Sequence, residues 1–248
     1  GDYAVIGTTL QIVGETLADF IKRLRLDRAL VAMAHAPRHS LTRIALDCGF
    51  SSSSDFSRSF RQRHGVSPSR FDIHAWRRSH RAQLEATLPD KLHLLRLPEG
   101  QNPDGFRVRI RDLPARTVAY IRVLDPYRGG VFEAAQRLLA WAERRGFADN
   151  QWLGYQRENP EITPLAQCQY HVAVEAEVFT PGGEIGRFRF PPMTVAQVEL
   201  RGGIDLEFRA LQWLYGAWLP RSGHIPDDQP GFEAWIGRPF AHGNSHFE

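Results

Sequence analysis

The spacing of apolar residues divides the chain into a helical start and a mixed remainder. Leu17, Phe20, Ile21 and Leu24 fall on one face of a helix running from about Leu17 to Met33, with Gly14-Glu15-Thr16 before it as turn and cap. Lys22, Arg23, Arg25 and Arg28 decorate its other faces. Leu41, Ile44, Ala45 and Cys48 repeat that spacing behind Ser40, whose hydroxyl can accept an unpaired N–H of the first turn. Gly49 suits the left-handed residue that stops such a helix. A third helix begins within Ser51-Ser52-Ser53-Ser54, turns Phe56 and Phe60 inward and Arg58, Arg61 and Arg63 outward, and ends at Gly65. Ser67-Pro68 reads as N-cap and first position of one more short helix. From about Ile73 to Gly105 the sequence changes character: Leu84 to Leu97 has no clean period, and Pro98 to Gly105 is rich in turn residues. The predicted organisation is 1–83, a linker over 84–105, and a second domain over 106–248.

The second domain repeats itself. Thr117-Val118-Ala119 recurs as Thr194-Val195-Ala196, 77 residues on. That offset also maps Ala140-Trp141 onto Ala217-Trp218, Arg144 onto Arg221, Gly146 onto Gly223, Gly154-Tyr155-Gln156 onto Gly231-Phe232-Glu233, and Tyr170 onto Phe247. Each copy (about 106–177 and 185–248) reads as β-hairpin, helix, strand, strand. The predicted hairpins are Phe106–Arg111 with Thr117–Val123, and Arg187–Phe190 with Thr194–Leu200, with Pro114 and Pro191-Pro192 in their turns. The predicted helices are Gly130–Arg145 and Asp205–Leu219. Leu153–Arg157 and Gln169–Glu177 close copy one; Phe232–Ile236 and a strand starting near Ser245 close copy two, with the last strand cut short. The fold class is α+β.

Charge sharpens this division. Residues 1–83 carry 13 Lys+Arg against 7 Asp+Glu, and the remainder 18 against 21, so a net +3 conceals a basic half and an acidic half. A basic segment points to a polyanion partner. No apolar run is long enough to span a bilayer, and no signal segment opens the chain. Cys48 and Cys168 fit no metal motif and read as free thiols of a reducing cytoplasm. No metal, cofactor or catalytic set is predicted.

Helix, glycine turn and helix with a basic outer face is a helix-turn-helix pattern. The run Ile44-Ala45-Leu46-Asp47-Cys48-Gly49-Phe50-Ser51-Ser52, then Phe56-Ser57-Arg58-Ser59-Phe60-Arg61 and Gly65-Val66-Ser67-Pro68, resembles the second helix-turn-helix of AraC-family regulators. Gly14-Glu15-Thr16-Leu17 and Arg23-Leu24-Arg25-Leu26-Asp27-Arg28-Ala29 are similar to the helix that joins the two motifs of that family. The resemblance implies that Ser53, Ser54, Ser57 and Arg58 face DNA bases and that Arg61 and Arg63 meet phosphates. Short hydroxyls allow close approach to the major groove, and Arg reaches guanine or phosphate. Ser51 and Ser52 read as cap and loop, Phe56 and Phe60 as core, and His64 either as a phosphate contact or as a surface residue without a role. Residues 1–13 are too few for the first motif, so that motif is expected to be incomplete, through trimming or disorder.

The tandem repeat behind such a segment resembles the GyrI-like effector-binding domain, whose members bind lipophilic, often cationic, small molecules in a cleft between the two units. Glu233 and Trp235 lie on one face of a short apolar strand, and a carboxylate beside an indole suits a cation. The resemblance assigns that purpose to a glutamate in this strand; Gln156 stands at the copy-one position. Tyr155, Phe232, Trp213 and Tyr215 complete the candidate pocket, whereas Trp141 and Trp218, shared by both copies, read as core. His171, Glu175 and Glu177 alternate along an expected exposed strand face. The expected function is a transcription regulator acting in the cytoplasm at the nucleoid. Its expected partners are double-stranded DNA and a small-molecule effector, with RNA polymerase a further candidate and no membrane. Alternatives are a GyrI-like hydrolase using Glu233, for which no second carboxylate or His stands at an evident spacing, and a protein-binding module of the gyrase-inhibitor kind.

Overall fold

The computed structural model describes residues 17–36, 38–87, 101–156, 158, 160, 163–224, 226–227 and 229–241. Its contacts divide the chain into two compact units, Gly1–Arg78 and Ser79–Glu248. The expected incomplete first motif and the strand near Ser245 lie outside the described residues.

The first unit holds α1 (Leu17–His35), α2 (Leu41–Asp47), α3 (Ser53–His64), a 3-10 turn (Pro68–Arg70) and the start of α4 (Ile73–Thr87). Ser40 caps α2 by accepting the Arg43 N–H at 3.2 Å, and Ser52 caps α3 by accepting the Asp55 N–H at 3.1 Å. Gly49 and Gly65 take the positive φ angles expected of them, 83° and 79°. The apolar face of α1 differs from the expected one. Ile21 and Leu24 are 39 % and 46 % exposed, while Leu26, Ala29 and Leu30 are sealed. The reason is local: α2 and α3 meet the C-terminal half of α1, where Arg63 of α3 pairs with Asp27 at 3.0 Å. Phe56 and Phe60 are fully buried, as expected. The helix after Ile73 continues past the expected start of the linker. Asp72 caps α4 by accepting the Ala75 N–H at 2.8 Å, and the helix runs through Thr87, so 84–87 are helical rather than linker.

The second unit contains β1 (Val108–Leu113), β2 (Arg116–Leu124), α5 (Val131–Glu143), β3 (Trp152–Gln156), β4 (Gln169–Glu175), β5 (Gly186–Phe190), β6 (Met193–Val198), α6 (Ile204–Trp213) and β7 (Gly231–Ala234). Five strands form one antiparallel sheet in the order β5-β2-β4-β3-β7, and β1 pairs with β6 alone. The predicted hairpins therefore do not form. β1 pairs with β6 and β2 with β5, so each copy lends a strand to the other. Val108 opposite Val198 and Arg116 opposite Phe190 belong to one continuous antiparallel register, which would set Pro114 opposite Pro192 in the gap. The prolines explain the outcome. Two-residue hairpin turns need a positive φ that proline cannot adopt, and proline has no N–H for a ladder. The chain passes the prolines without pairing on itself and moves from one sheet to the other.

α5 presents Ala134, Ala135, Leu138, Trp141 and Ala142 to β2 and β4, where Ala119, Ile121, Val172 and Val174 complete the core with Trp152. Its small residues let helix and sheet approach closely; Leu138→Ala would cost about 2–5 kcal/mol. The opposite face of the sheet packs Val118, Leu153, Tyr155, Ala173 and Phe190. That face is not the exposed one expected of His171, Glu175 and Glu177. His171 is buried and stacks on Tyr155 at 4.6 Å, and Glu175 pairs with Arg116 at 3.1 Å. Glu177 lies beyond the end of β4.

In copy two the helix is irregular. α6 passes into a π-helical turn (Leu214–Trp218) and then α7 (Leu219–Ser222). Pro220 accounts for the wide turn: its ring leaves no room for the carbonyl of Gly216 and supplies no N–H to it.

Candidate functional site

α3 carries one chemical surface. Ser54, Arg58 and Arg61, spaced i, i+4, i+7, are exposed on one side of the helix, with Ser53 and Ser57 half-buried beside them. Arg63 stands apart, because its ion pair with Asp27 holds α3 to α1. His64 is no phosphate contact either. Its ring packs against Phe60, Phe71 and Trp76 at 4.4, 5.3 and 5.5 Å, and burial, helped by Arg63, lowers its pKa to about 4. A neutral, inward His64 leaves the basic character of this face to arginine.

The second unit gathers acidic and aromatic groups around Glu233. Glu233 Oε2 accepts hydrogen bonds from Tyr170 Oη at 3.1 Å and from Trp235 Nε1 at 3.2 Å. Gly154, opposite Glu233 on β3, makes this possible. A Cβ there would fall on Tyr170 Oη and lie 3.1 Å from Glu233 Oε2. Trp235 is buried, with its indole parallel to that of Trp152 at 6.4 Å. α6 brings a second acidic residue to this neighbourhood: burial and then the charge of Glu233 push the pKa of Glu207 up to about 9. Tyr170, whose Oη meets Glu233, is raised well above the usual phenol range, first by burial and then by Glu233 and Glu207. Sequence spacing gave no signal for Glu207 or Tyr170 beside Glu233. They come from a helix and a strand that only the fold brings to β7.

The family model of the GyrI-like small molecule binding domain matches residues 106–245, more than half of the chain. The chain belongs to the GyrI-like family. A helix-turn-helix domain matches residues 8–72, and the unit before the GyrI-like domain is of AraC type. The "DNA gyrase inhibitor" of Edwardsiella piscicida is 30 % identical over 140 residues, which cover 53 % of this chain and 87 % of that protein. The same-named protein of Edwardsiella ictaluri (strain 93-146) is 31 % identical over 140 residues, with coverages of 53 % and 87 %. Among solved structures, the EcmrR–DNA complex in EcmrR-RPo aligns with a TM-score of 0.43 at 13 % identity, over 92 % of this chain and 72 % of that chain. The EcmrR C-terminal domain aligns with a TM-score of 0.39 at 12 % identity, over 53 % and 85 %.

Within the GyrI-like domain the six candidate pocket residues separate. Glu233 and Trp235 meet, whereas Tyr155 and Phe232 lie on the other face of the sheet, packed with Phe190. Strand alternation puts Phe232 opposite in direction to Glu233. Trp213 packs on Phe106 at 5.7 Å. Tyr215 comes near β7, its Oη 3.4 Å from where a Cβ of Gly231 would stand. A cavity of about 420 Å³ opens elsewhere, between the start of β1, the end of β6 and Leu206. Arg107, Arg109 and Arg201 line it together with Asp104 and Glu199. Among the described residues no cluster has the composition of a metal site, and no helix is long and apolar enough to cross a membrane.

Copy one shows what the Glu233 position looks like without a charge. Gln156 Oε1 and Nε2 meet Tyr127 Oη at 3.3 and 3.2 Å, and Nε2 donates to the Glu158 carbonyl at 2.9 Å. Cys168 beside them has its thiol pushed up to about 12 by burial, then by Glu158 and Asp125. Gln156 itself bonds to a phenol and a carbonyl, with the carboxylates of Glu158 and Asp125 near Cys168.

Proposed function

We propose that this AraC-type, GyrI-like protein is a transcription regulator whose DNA binding responds to a lipophilic cation held at Glu233. One observation carries the reading: a carboxylate sits among Tyr170, Trp235 and Trp152 where the repeat needs only a glutamine. A carboxylate in aromatic surroundings attracts a desolvated cation by charge and by the ring quadrupoles. α3 reads double-stranded DNA, with Ser53, Ser54, Ser57 and Arg58 toward bases and Arg61 toward phosphate. Trp213, Tyr215, Tyr155 and Phe232 contribute through the packing around the site. The effector acts by stabilising one of two arrangements of the regulator, so that DNA and effector affinities are reciprocally linked. RNA polymerase is the further partner, and the cytoplasmic nucleoid is the place of action.

The test is a titration of intrinsic tryptophan fluorescence with tetraphenylphosphonium, whose charge does not change with pH. Glu233→Gln is expected to weaken binding by about tenfold or more, the loss of one charge contact. Unchanged affinity in the variant removes the cation site. Binding to promoter DNA is expected to weaken steeply with salt, with Arg58→Ala and Arg61→Ala each reducing the slope by about one. A flat salt dependence contradicts the regulator.

A second reading gains one observation. The carboxylate that sequence spacing did not provide is Glu207, so Glu233 has an acidic partner of the kind hydrolysis of a small electrophile requires. Mass spectrometry of such a compound after incubation with the protein decides it: hydrolysed product supports the enzyme, and intact compound removes it.

A further inference from the structure

The cavity of about 420 Å³ opens at the Arg107 end of the β1–β6 pair, and the chain around it fixes its walls. On one side Asn102 holds Phe106 twice: its Oδ1 accepts the Phe106 N–H and its Nδ2 donates to the Phe106 carbonyl, both at 2.8 Å. Gly105 makes the turn between them with a φ of 70°. Phe106 is buried and packs on Trp213 of α6. On the other side β6 runs into Leu200 and Arg201, and Leu206 of α6 completes the lining. A Cβ on Gly202 would stand 2.8 Å from the Leu206 side chain, so the glycine leaves room for that leucine.

Among the described residues five charged side chains line this space, and they do not cancel. Asp104 is taken up by Arg209, whose Nε and Nη2 donate to its two oxygens at 3.0 and 3.1 Å. Glu199 meets Arg201 at 3.8 Å, an exposed pair whose charges offset each other. Arg107 and Arg109 are left. They stand two residues apart where β1 begins, on one face and about 7 Å from each other. The third arginine of that face, Arg111, donates to Gln197 at 3.1 Å, whereas neither Arg107 nor Arg109 has a partner among the described residues.

Two uncompensated guanidinium groups therefore adjoin apolar surface from Phe106, Leu200 and Leu206. The planar fork of arginine matches the oxygens of a carboxylate, sulfonate or phosphate, and a cleft wall of one sign raises the local concentration of the other. The volume is far larger than an inorganic ion needs and lies within the range of pockets that enclose small organic molecules. We infer that this cavity is a second ligand site of the GyrI-like domain and that it takes an organic anion, with the oxyanion on Arg107 and Arg109 and the apolar body against Phe106, Leu200 and Leu206. The site is separate from Glu233, opposite in its charge preference, and stands whether or not a cation binds at Glu233. An inorganic anion leaves the apolar wall uncovered, and a cation meets the two free arginines.

The experiment is isothermal titration calorimetry of the full chain with naphthalene-2-sulfonate, 2-naphthoate and 2-naphthyl phosphate, with sodium sulfate for comparison. The proteins are wild type, Arg107→Ala/Arg109→Ala and Glu233→Gln. Wild type is expected to bind at least one of the three naphthyl anions, and the tightest of them names the oxyanion. The double variant is expected to lose about a hundredfold in affinity, about tenfold for each charge-assisted contact, and Glu233→Gln to lose nothing. Both arginines are exposed, so the double variant is expected to keep the wild-type thermal midpoint; Arg109→Gln alone repeats the test with a milder change. Four outcomes overturn the site: no binding of any naphthyl anion up to about 1 mM, unchanged affinity in the arginine variants, loss of binding in Glu233→Gln instead, or sodium sulfate binding as tightly as the naphthyl anions, an adventitious ion only. None of them touches the cation site, which tetraphenylphosphonium and Glu233→Gln decide alone.

Discussion

Copy one and copy two of the GyrI-like repeat use the same strand positions for opposite purposes. At Gln156 the contacts are amide, phenol and carbonyl, and the arrangement serves the fold. At Glu233 they are a phenol, an indole and a second acid, and the arrangement costs the fold something. Bringing two acids together at a half-buried site is unfavourable when an amide would satisfy the same strand, so the charge asks for an explanation outside folding. Duplication supplied two equivalent positions, and under the proposed reading the charged one serves a ligand.

The largest expected effects break this comparison sterically. Gly154 and Gly231 are equivalent, yet only Gly154 lies under Tyr170. Gly154→Ala is expected to destabilise the domain by about 1–3 kcal/mol, the usual cost of overpacking, and to separate Tyr170 from Glu233. Gly231→Ala meets only Tyr215 Oη at 3.4 Å and is expected to cost well under 1 kcal/mol. Urea unfolding followed by fluorescence compares the two, and equal losses would contradict the asymmetry.

Next come the charges. Gln156→Glu adds a carboxyl to a cluster that already feels Glu158 and Asp125 and is expected to cost about 1–3 kcal/mol near pH 7, read by the same urea unfolding. Glu207→Gln is expected to change the pH dependence. Glu207 has an ordinary pKa of 4.5 and about 9 when folded, so the folded protein holds the extra proton between those values. Its stabilising contribution is complete below about pH 4.5 and is lost as pH rises through 9. The variant should flatten the decline in stability on the alkaline side. An unchanged pH profile would mean that Glu207 ionises freely.

How far the sequence could be read follows from the same residues. The helix caps at Ser40 and Ser52, the glycine stops at Gly49 and Gly65, and the 77-residue offset are local or periodic features and were visible. Strand positions were visible too, but not their partners, because the alternation that suits a hairpin suits an exchanged pair equally well. Pro114 and Pro191-Pro192 held the answer, since proline cannot make the tight turn that a hairpin needed. Glu233 and Trp235 could be joined by alternation along one strand. Glu207 could not, because a single acid on a helix looks like a solvated one until the sheet below it is known.

The smallest effects lie in the helix-turn-helix unit and extend the contrast between structural and functional charge. Arg63 is tied to Asp27, whereas Arg58 and Arg61 face outward. Arg63→Ala is expected to cost up to about 1 kcal/mol of stability, and Arg58→Ala to leave stability unchanged while weakening DNA binding, as thermal unfolding and DNA titration would show. His64 titrates in the direction opposite to Glu207. Its pKa falls from 6.5 to about 4 on folding, so the unfolded chain takes up protons first and stability is lost as pH drops through that range. His64→Gln should soften the acid limb of the stability profile measured by thermal unfolding.

The most direct measurement is to locate the cation. Crystals soaked with tetraphenylarsonium, which carries an anomalous scatterer at its centre, would place it without reference to any fluorescence change. The arsenic peak is expected within about 6 Å of the Glu233 carboxylate and the Trp235 ring. A peak beside Gln156, or in the arginine-lined cavity between β1 and β6, would contradict the assignment of the charged copy as the ligand site.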